Sequence, residues 1–167
     1  MTQLSFFVSG LPITQGGMKP VPDDRGGTRL ITTGGDGLKQ WRKKTTDIAQ
    51  LAANLAHWVQ LTGPVEISYR FLLPMPGSRP AAQRKLGIAY SWKKPDLDKL
   101  MRAISDSLTD AKIWVDDGQV AVSHTAKYEV WDPALTGVEV VVRGLDNDTD
   151  QPLLVAFLDR TRAHRRR

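Results

Sequence analysis

The stretch KKPDLDKLMRAISDSLTDAKIWVDDGQV, from Lys93 to Val120, constrains the chain more than any other. Leu97, Leu100, Met101, Ile104 and Leu108 recur at i, i+3, i+4, i+7 and i+11. At roughly 100° per residue they share one face of a helix. Pro95 suits the helix start, because it has no N–H to give and its φ is already helical. Asp96 or Asp98 is placed to cap the orphan donors of the first turn. Asp98, Arg102 and Ser105 flank the apolar face, with Asp106 beyond them. A turn over Thr109–Lys112 follows. Ile113-Trp114-Val115 reads as a strand start, bent by Asp116-Asp117-Gly118, and Val120, Val122 and His124 continue a strand by alternation.

This order of side chains suits a hard cation. Mg²⁺ is held by a few carboxylates, with water and phosphate oxygens completing its shell. An acid pair at a helix start and another acid pair after the helix can converge on one ion. A cation one turn from Asp98 then reaches a phosphate bound there. Metal-assisted phosphodiester hydrolysis is the chemistry such a group supports. Each piece also has a plain structural use: capping and dipole compensation for Asp96 and Asp98, an ordinary turn for Asp116-Asp117-Gly118.

PDLDKLMRAISDSL followed by WVDDGQV resembles the RusA-type Holliday junction resolvases, small nucleases of bacteria and their phages. Their signature is Asp-x-Asp-Asn-Leu-x-Lys, then Asp-x-Leu on the same helix, then a hydrophobic-Asp-Asp-x-Gln-hydrophobic segment. The match falls at Asp96, Asp98, Leu100, Asp106, Leu108, Asp116, Asp117, Gln119 and Val120. The likeness spans about Leu4 to Arg143. It implies that Asp96, Asp98 and Asp117 are metal-binding catalytic acids supported by Asp116, that the cofactor is Mg²⁺ with Mn²⁺ as a substitute, and that the substrate is branched DNA. It also implies a homodimer with two metal sites, the 97–111 helix region or a strand edge lying near the interface. Two positions depart from the pattern. Lys99 stands where the family has Asn, and Arg102 where it has Lys. An Arg cannot give up its proton, so Arg102 is expected to act as a fixed cation on the transition state.

Charge agrees with a polyanionic partner. The 167 residues carry a net charge of +5 and a pI near 9.6, and the positive charge is unevenly placed. From Ile67 to Pro95 there is no acidic residue, but there are Arg70, Arg79, Arg84, Lys85, Lys93 and Lys94. This run leads straight into the acids. Tyr90 and Trp92 interleave with it; packing in the core or at a hinge is the expectation, base stacking the alternative. Lys39, Arg42, Lys43 and Lys44 crowd the start of an expected helix, where the dipole disfavours cations, which hints at phosphate contact. The candidate DNA contacts are Lys19, Arg42, Lys43, Arg79, Arg84, Lys93, Lys94 and Lys99. The chain has no cysteine, which removes disulfides, thiolate metal sites and Cys nucleophiles. No apolar run approaches the roughly 20 residues that span a bilayer. Walker A, dinucleotide and zinc spacings are absent. The expected setting is the cytoplasm of a bacterial cell or a phage-infected host.

The remaining elements follow from pattern. Leu4–Val8 is a strand. Residues 14–37 are an aperiodic loop, with Lys19, Arg25 and Arg29 able to close on a backbone. Leu38–Gln60 is a helix with a stripe of Trp41, Thr45, Ile48, Leu51 or Ala52, Leu55 and Val59. Val65–Leu73 alternates as a strand. Val120–Val130 and Val138–Val142 form a hairpin, the second strand buried on both faces. Residues 153–167 are expected to form a short helix with a basic tip. The expected fold is α+β (α/β), a mixed sheet packed against helices. Residues 1–145 make the nuclease domain and 146–167 a C-terminal extension. Beside the resolvase reading stand a non-catalytic DNA-binding protein that kept the fold and a flap- or RNA-directed nuclease.

Overall fold

A computed structural model of the chain describes residues 3–16, 18–22, 28–32 and 35–146. Its centre is β4 (Val65–Pro74), whose Val65, Ile67, Tyr69, Phe71 and Leu73 are buried on one face, as the alternation predicts. This strand has a neighbour on each edge. β6 (Val120–Val130) pairs with it in parallel and β7 (Gly137–Gly144) antiparallel. β1 (Gln3–Ser9) lies outside β7, and the short β5 (Ile88–Tyr90) outside β6. The order is β1-β7-β4-β6-β5. The expected hairpin of the last two strands is therefore wrong, because β4 separates β6 from β7. Val138, Val140 and Val142 are buried while Glu139 and Val141 are half-buried, so β7 hides one face rather than two.

Helices α1 (Gly35–Leu55) and α3 (Leu97–Asp110) pack against the sheet and each other, and α2 (Ala81–Leu86) precedes β5. On α3 the expected stripe is in place: Leu100, Ile104 and Leu108 are buried, and Leu97 and Met101 pack against the core. Ala103 and Ser107 join them. The α1 stripe differs from expectation. Its buried positions are Leu38, Trp41, Thr45 and Ala49, while Leu51 and Leu55 are exposed. Small side chains let the two helices approach, and their hydroxyls are satisfied locally. Thr45 Oγ1 donates to the Trp41 carbonyl at 3.0 Å, and Ser107 Oγ to that of Ala103 at 2.8 Å. Such back-bonding hides a hydroxyl without an unpaired donor. α1 stops at Leu55, short of Gln60.

Two further expectations give way. The 14–37 loop contains a separate antiparallel pair, β2 (Met18–Pro22) with β3 (Thr28–Thr32). Ile113-Trp114-Val115 is not a strand. Trp114 makes a single parallel bridge to Leu61. Trp58 Nε1 and Leu61 N donate to the Ile113 carbonyl, and Gln60 Nε2 to that of Trp114. Ile113 and Trp114 are fully buried there. Arg25 and the expected helix over 153–167 lie outside the described residues. No helix among the described residues is long and apolar enough to cross a membrane.

Candidate active site

The acids of the central stretch lie on two elements. Asp96 occupies the N-cap position of α3 with extended backbone, φ −70° and ψ 134°, yet its carboxylate does not cap the helix. It accepts instead from Lys99 Nζ at 2.7 Å. That bond holds the Asp96 carboxyl below the usual carboxylate range, with Lys94 and Lys127 adding to the pull. Asp98 sits in the first turn, where the helix dipole favours a negative charge. It is exposed, as is Arg102 one turn on.

Asp117 opens a short 3-10 turn, Asp117–Gln119, just before β6. The turn is locked by its neighbours. Asp116 Oδ1 accepts from Gly118 N at 2.8 Å. Gln119 Oε1 accepts from the amides of Val115 and Asp116, at 2.8 and 2.9 Å, while Nε2 donates to the carbonyls of Leu61 and Gly63. One amide thus ties the turn to the loop after α1. Asp116 has a defined task in this cap, and Asp117 points its charge elsewhere. The Tyr69 hydroxyl feels it: burial first, and the Asp117 charge in addition, push the phenol up to about 12, against a hydrogen bond to Ser105 that lowers it. Tyr69 Oη and Ser105 Oγ are 2.7 Å apart, which couples β4 to the flank of α3 that also carries Asp98 and Arg102.

The floor beneath the α3 start is polar. In the β4–β6 register Tyr69, Phe71 and Leu73 stand beside Thr125, Lys127 and Glu129, and paired residues share a sheet face. The face of β6 turned toward the helices therefore carries a hydroxyl, an ammonium and a carboxylate. Lys127 Nζ donates to the carbonyls of Lys93 and Pro95, at 2.5 and 2.6 Å, and so fixes the segment leading into Asp96. Glu129 is buried and takes a bidentate pair from Arg79, at 2.6 and 2.8 Å, with Ser91 donating as well. From the other side, Gln15 N donates to the Lys99 carbonyl and Gln15 Nε2 to Asp106 at 2.5 Å. An open cleft of about 420 Å³ results, lined by Thr14, Lys94, Pro95, Asp96 and Lys99.

The sequence-derived residues separate into two sets. Asp98, Arg102 and Asp117 are exposed and make no hydrogen bond or ion pair among the described residues. Others are engaged. Arg42 bridges Asp106 at 3.3 Å and Asp110 at 2.7 Å, and Lys43 pairs with Asp47 at 2.6 Å. Lys39 pairs with Asp36, and Lys44 donates to the Ser9 carbonyl. The crowded cations of α1 are thus offset within the chain and give no sign of phosphate contact by themselves. Asp106 serves the α1–α3 contact. Arg70 pairs with Glu139. Tyr90 and Trp92 are not in the core; they are 75% and 73% exposed. Lys19 lies in β2, whose backbone alone is described. No three acidic or histidine side chains among the described residues gather into a metal-holding cluster. Asp96 and Asp98 stand at the start of α3 and Asp117 in the turn before β6, as separate exposed carboxylates. Exposed carboxylates are the donor type of a cation completed by water and phosphate, as Mg²⁺ commonly is, and they do not make a closed protein cage.

Sequence reasoning gave no role to Gln15, Gln119 or Lys127. The partners of Gln119 and Lys127 are mainly backbone carbonyls and amides, which no side-chain pattern reveals. Only Gln119, inside the Asp-Asp-x-Gln pattern, carried a signal. No curated protein sequence matches the chain. The family model for endodeoxyribonuclease RusA matches residues 18–143, which takes in every acid described above and most of the sheet that carries them. With that match across three quarters of its length, the chain belongs to the RusA family of Holliday junction-resolving endodeoxyribonucleases.

Proposed function

We propose that Asp96, Asp98 and Asp117 hold Mg²⁺, or Mn²⁺ in its place, and that Asp116 positions Asp117 through its cap. The observation that carries this reading is the exposure of Asp98, Arg102 and Asp117, which make no hydrogen bond or ion pair among the described residues, where Arg42 and Arg79 are ion-paired. When bound, the metal would activate water and offset charge on the phosphate. The protein's own part is positioning. The first turn of α3 presents Asp96 and Asp98 where the helix dipole supports them. Gln119 holds the turn that presents Asp117. A guanidinium does not serve as a general base, so Arg102 stabilises the oxygens of the scissile phosphate and abstracts nothing.

Phosphate contact is assigned first to Lys93, Lys94 and Lys99 beside the acids, with Arg84 extending the positive approach. Arg42, Lys43 and Arg79 support DNA from ion-paired positions, and Lys19 from the β2 strand. Paired cuts in opposed strands of a four-way junction need two sites, which a twofold homodimer supplies. The setting we assign is the cytoplasm of a bacterial cell or a phage-infected host.

Asp98→Asn on a synthetic four-way junction tests the assignment. The variant should lose Mg²⁺-dependent cleavage and keep junction binding, since less negative charge then meets the phosphate. Retained cutting would remove Asp98 from the site. If the unaltered chain yields no product with either metal across pH, the non-catalytic reading takes its place; the Lys99–Asp96 bond is what would favour it.

A further inference from the structure

Trp92 is the exposed aromatic side chain nearest in sequence to the acids. It lies four residues before Asp96 and is 73% exposed. The Lys93 ammonium stands 5.1 Å and the Arg79 guanidinium 5.9 Å from its ring centroid. An indole in water forgoes the gain from burying a large apolar surface. Its setting is also fixed. Lys127 ties down the carbonyls on either side of Lys94, and Ser91 N donates to the Lys127 carbonyl at 3.0 Å. Arg79 is held by Glu129. The ring is therefore presented from a braced segment and not from a loose loop.

We infer that Trp92 is a stacking platform for a DNA base exposed at the branch point, beside the cleavage site. Aromatic rings flanked by cations suit unpaired nucleotides: the ring takes the base and the cations take the backbone. A four-way junction differs from linear duplex in offering base faces at the crossover, and the positive approach brings phosphates to this side of the chain. A second copy of the chain fits the patch less well. An isologous contact sets a surface against itself, and here it would oppose Lys93 and Lys94 to their own copies. The inference rests on the family's substrate and is independent of which acids hold the metal.

The test is binding by the full chain without divalent metal, so no cleavage occurs. An immobile four-way junction carries 2-aminopurine beside the branch point, and a linear duplex of equal length serves as comparison. Binding should change the 2-aminopurine emission. Trp92→Ala should abolish that change and weaken junction binding about tenfold, within the range for one base–aromatic stack. Trp92→Phe should restore most of both, and duplex binding should stay the same. Unchanged junction affinity and emission with Trp92→Ala would overturn the inference. So would an equal loss on duplex and junction. A shift in light-scattering mass with DNA affinity intact would assign the ring to contact between copies instead. The exposure of Trp92 keeps the core out of the comparison, and the far-ultraviolet circular dichroism of each variant should match that of the unaltered chain. Loss of metal-dependent cleavage in Asp98→Asn bears on the acids and leaves this result standing.

Discussion

Lys99 sets how available Asp96 is. The carboxylate that begins the signature is already bonded to an ammonium three residues on, and that bond is the main reason its pKa is lowered. On the proposed assignment, a metal at Asp96 would have to compete with the ammonium for the carboxylate, and that competition would weaken metal binding. Lys99→Met should therefore tighten Mn²⁺ binding by about two- to fivefold, as expected for an exposed pair, read by calorimetry on the DNA-free protein. The same variant should lose some junction affinity, because Lys99 also lines the cleft. Weaker metal binding would mean that Lys99 supports the site. Tyr69 gives a second test at this scale. Its phenol titrates near 10.0 when unfolded and at about 12 when folded. Its contribution to stability is complete below pH 10 and is lost as pH climbs through 12, because the unfolded chain ionises first. Tyr69→Phe should flatten that alkaline fall, measured by urea unfolding at a series of pH values. The places of the acids on α3 and before β6 were legible in the sequence, because a motif spaces them. The Tyr69–Ser105 contact was not: 36 residues separate its members, and only the fold joins them.

Elements were legible where burial imposes a period. α3 and β4 each bury one clean face and match their expected bounds closely. α2 buries no residue and β5 has three residues, so neither carries a periodic signal. β2 contains two prolines in five residues, MKPVP, and proline weakens any strand reading. The 3-10 turn bearing Asp117 is the element on which the proposed site depends most. Its geometry rests on Gln119, which satisfies two amides and two carbonyls. Gln119→Ala leaves those groups to water and releases Asp117 from a fixed position. Cleavage should fall about a hundredfold, since small misplacements of a catalytic group cost that much, while junction binding changes little. Gly118→Ala should act alike, because an added Cβ would stand 2.7 Å from Asp116 Oδ1, the oxygen that caps the turn. Full activity in both variants would detach the cap from catalysis.

For the whole molecule, the sheet order decides where everything else lies, and it was the least legible feature. Sequence neighbours pair often but not always. Here β4 takes the centre with a partner on each edge, and β6 and β7 are thereby parted. That places the polar face of β6 beneath the start of α3, and with it the site. The far edge tests the same order. Gly137 pairs with Ser9 on one side and Leu72 on the other. A Cβ there would stand 2.4 Å from both the Val8 carbonyl oxygen and the Phe7 ring. The carbonyl belongs to a paired strand and cannot swing aside, so Gly137→Ala must push β1 away from β7. Overpacking of this kind costs about 1–3 kcal/mol. For a chain of this length that lowers Tm by roughly 3–10 °C, and differential scanning calorimetry reads it directly. Because α3 and the Asp117 turn do not touch this edge in the sheet order, cleavage well below Tm should persist. An unchanged Tm would mean that β1 does not lie against β7 in this register.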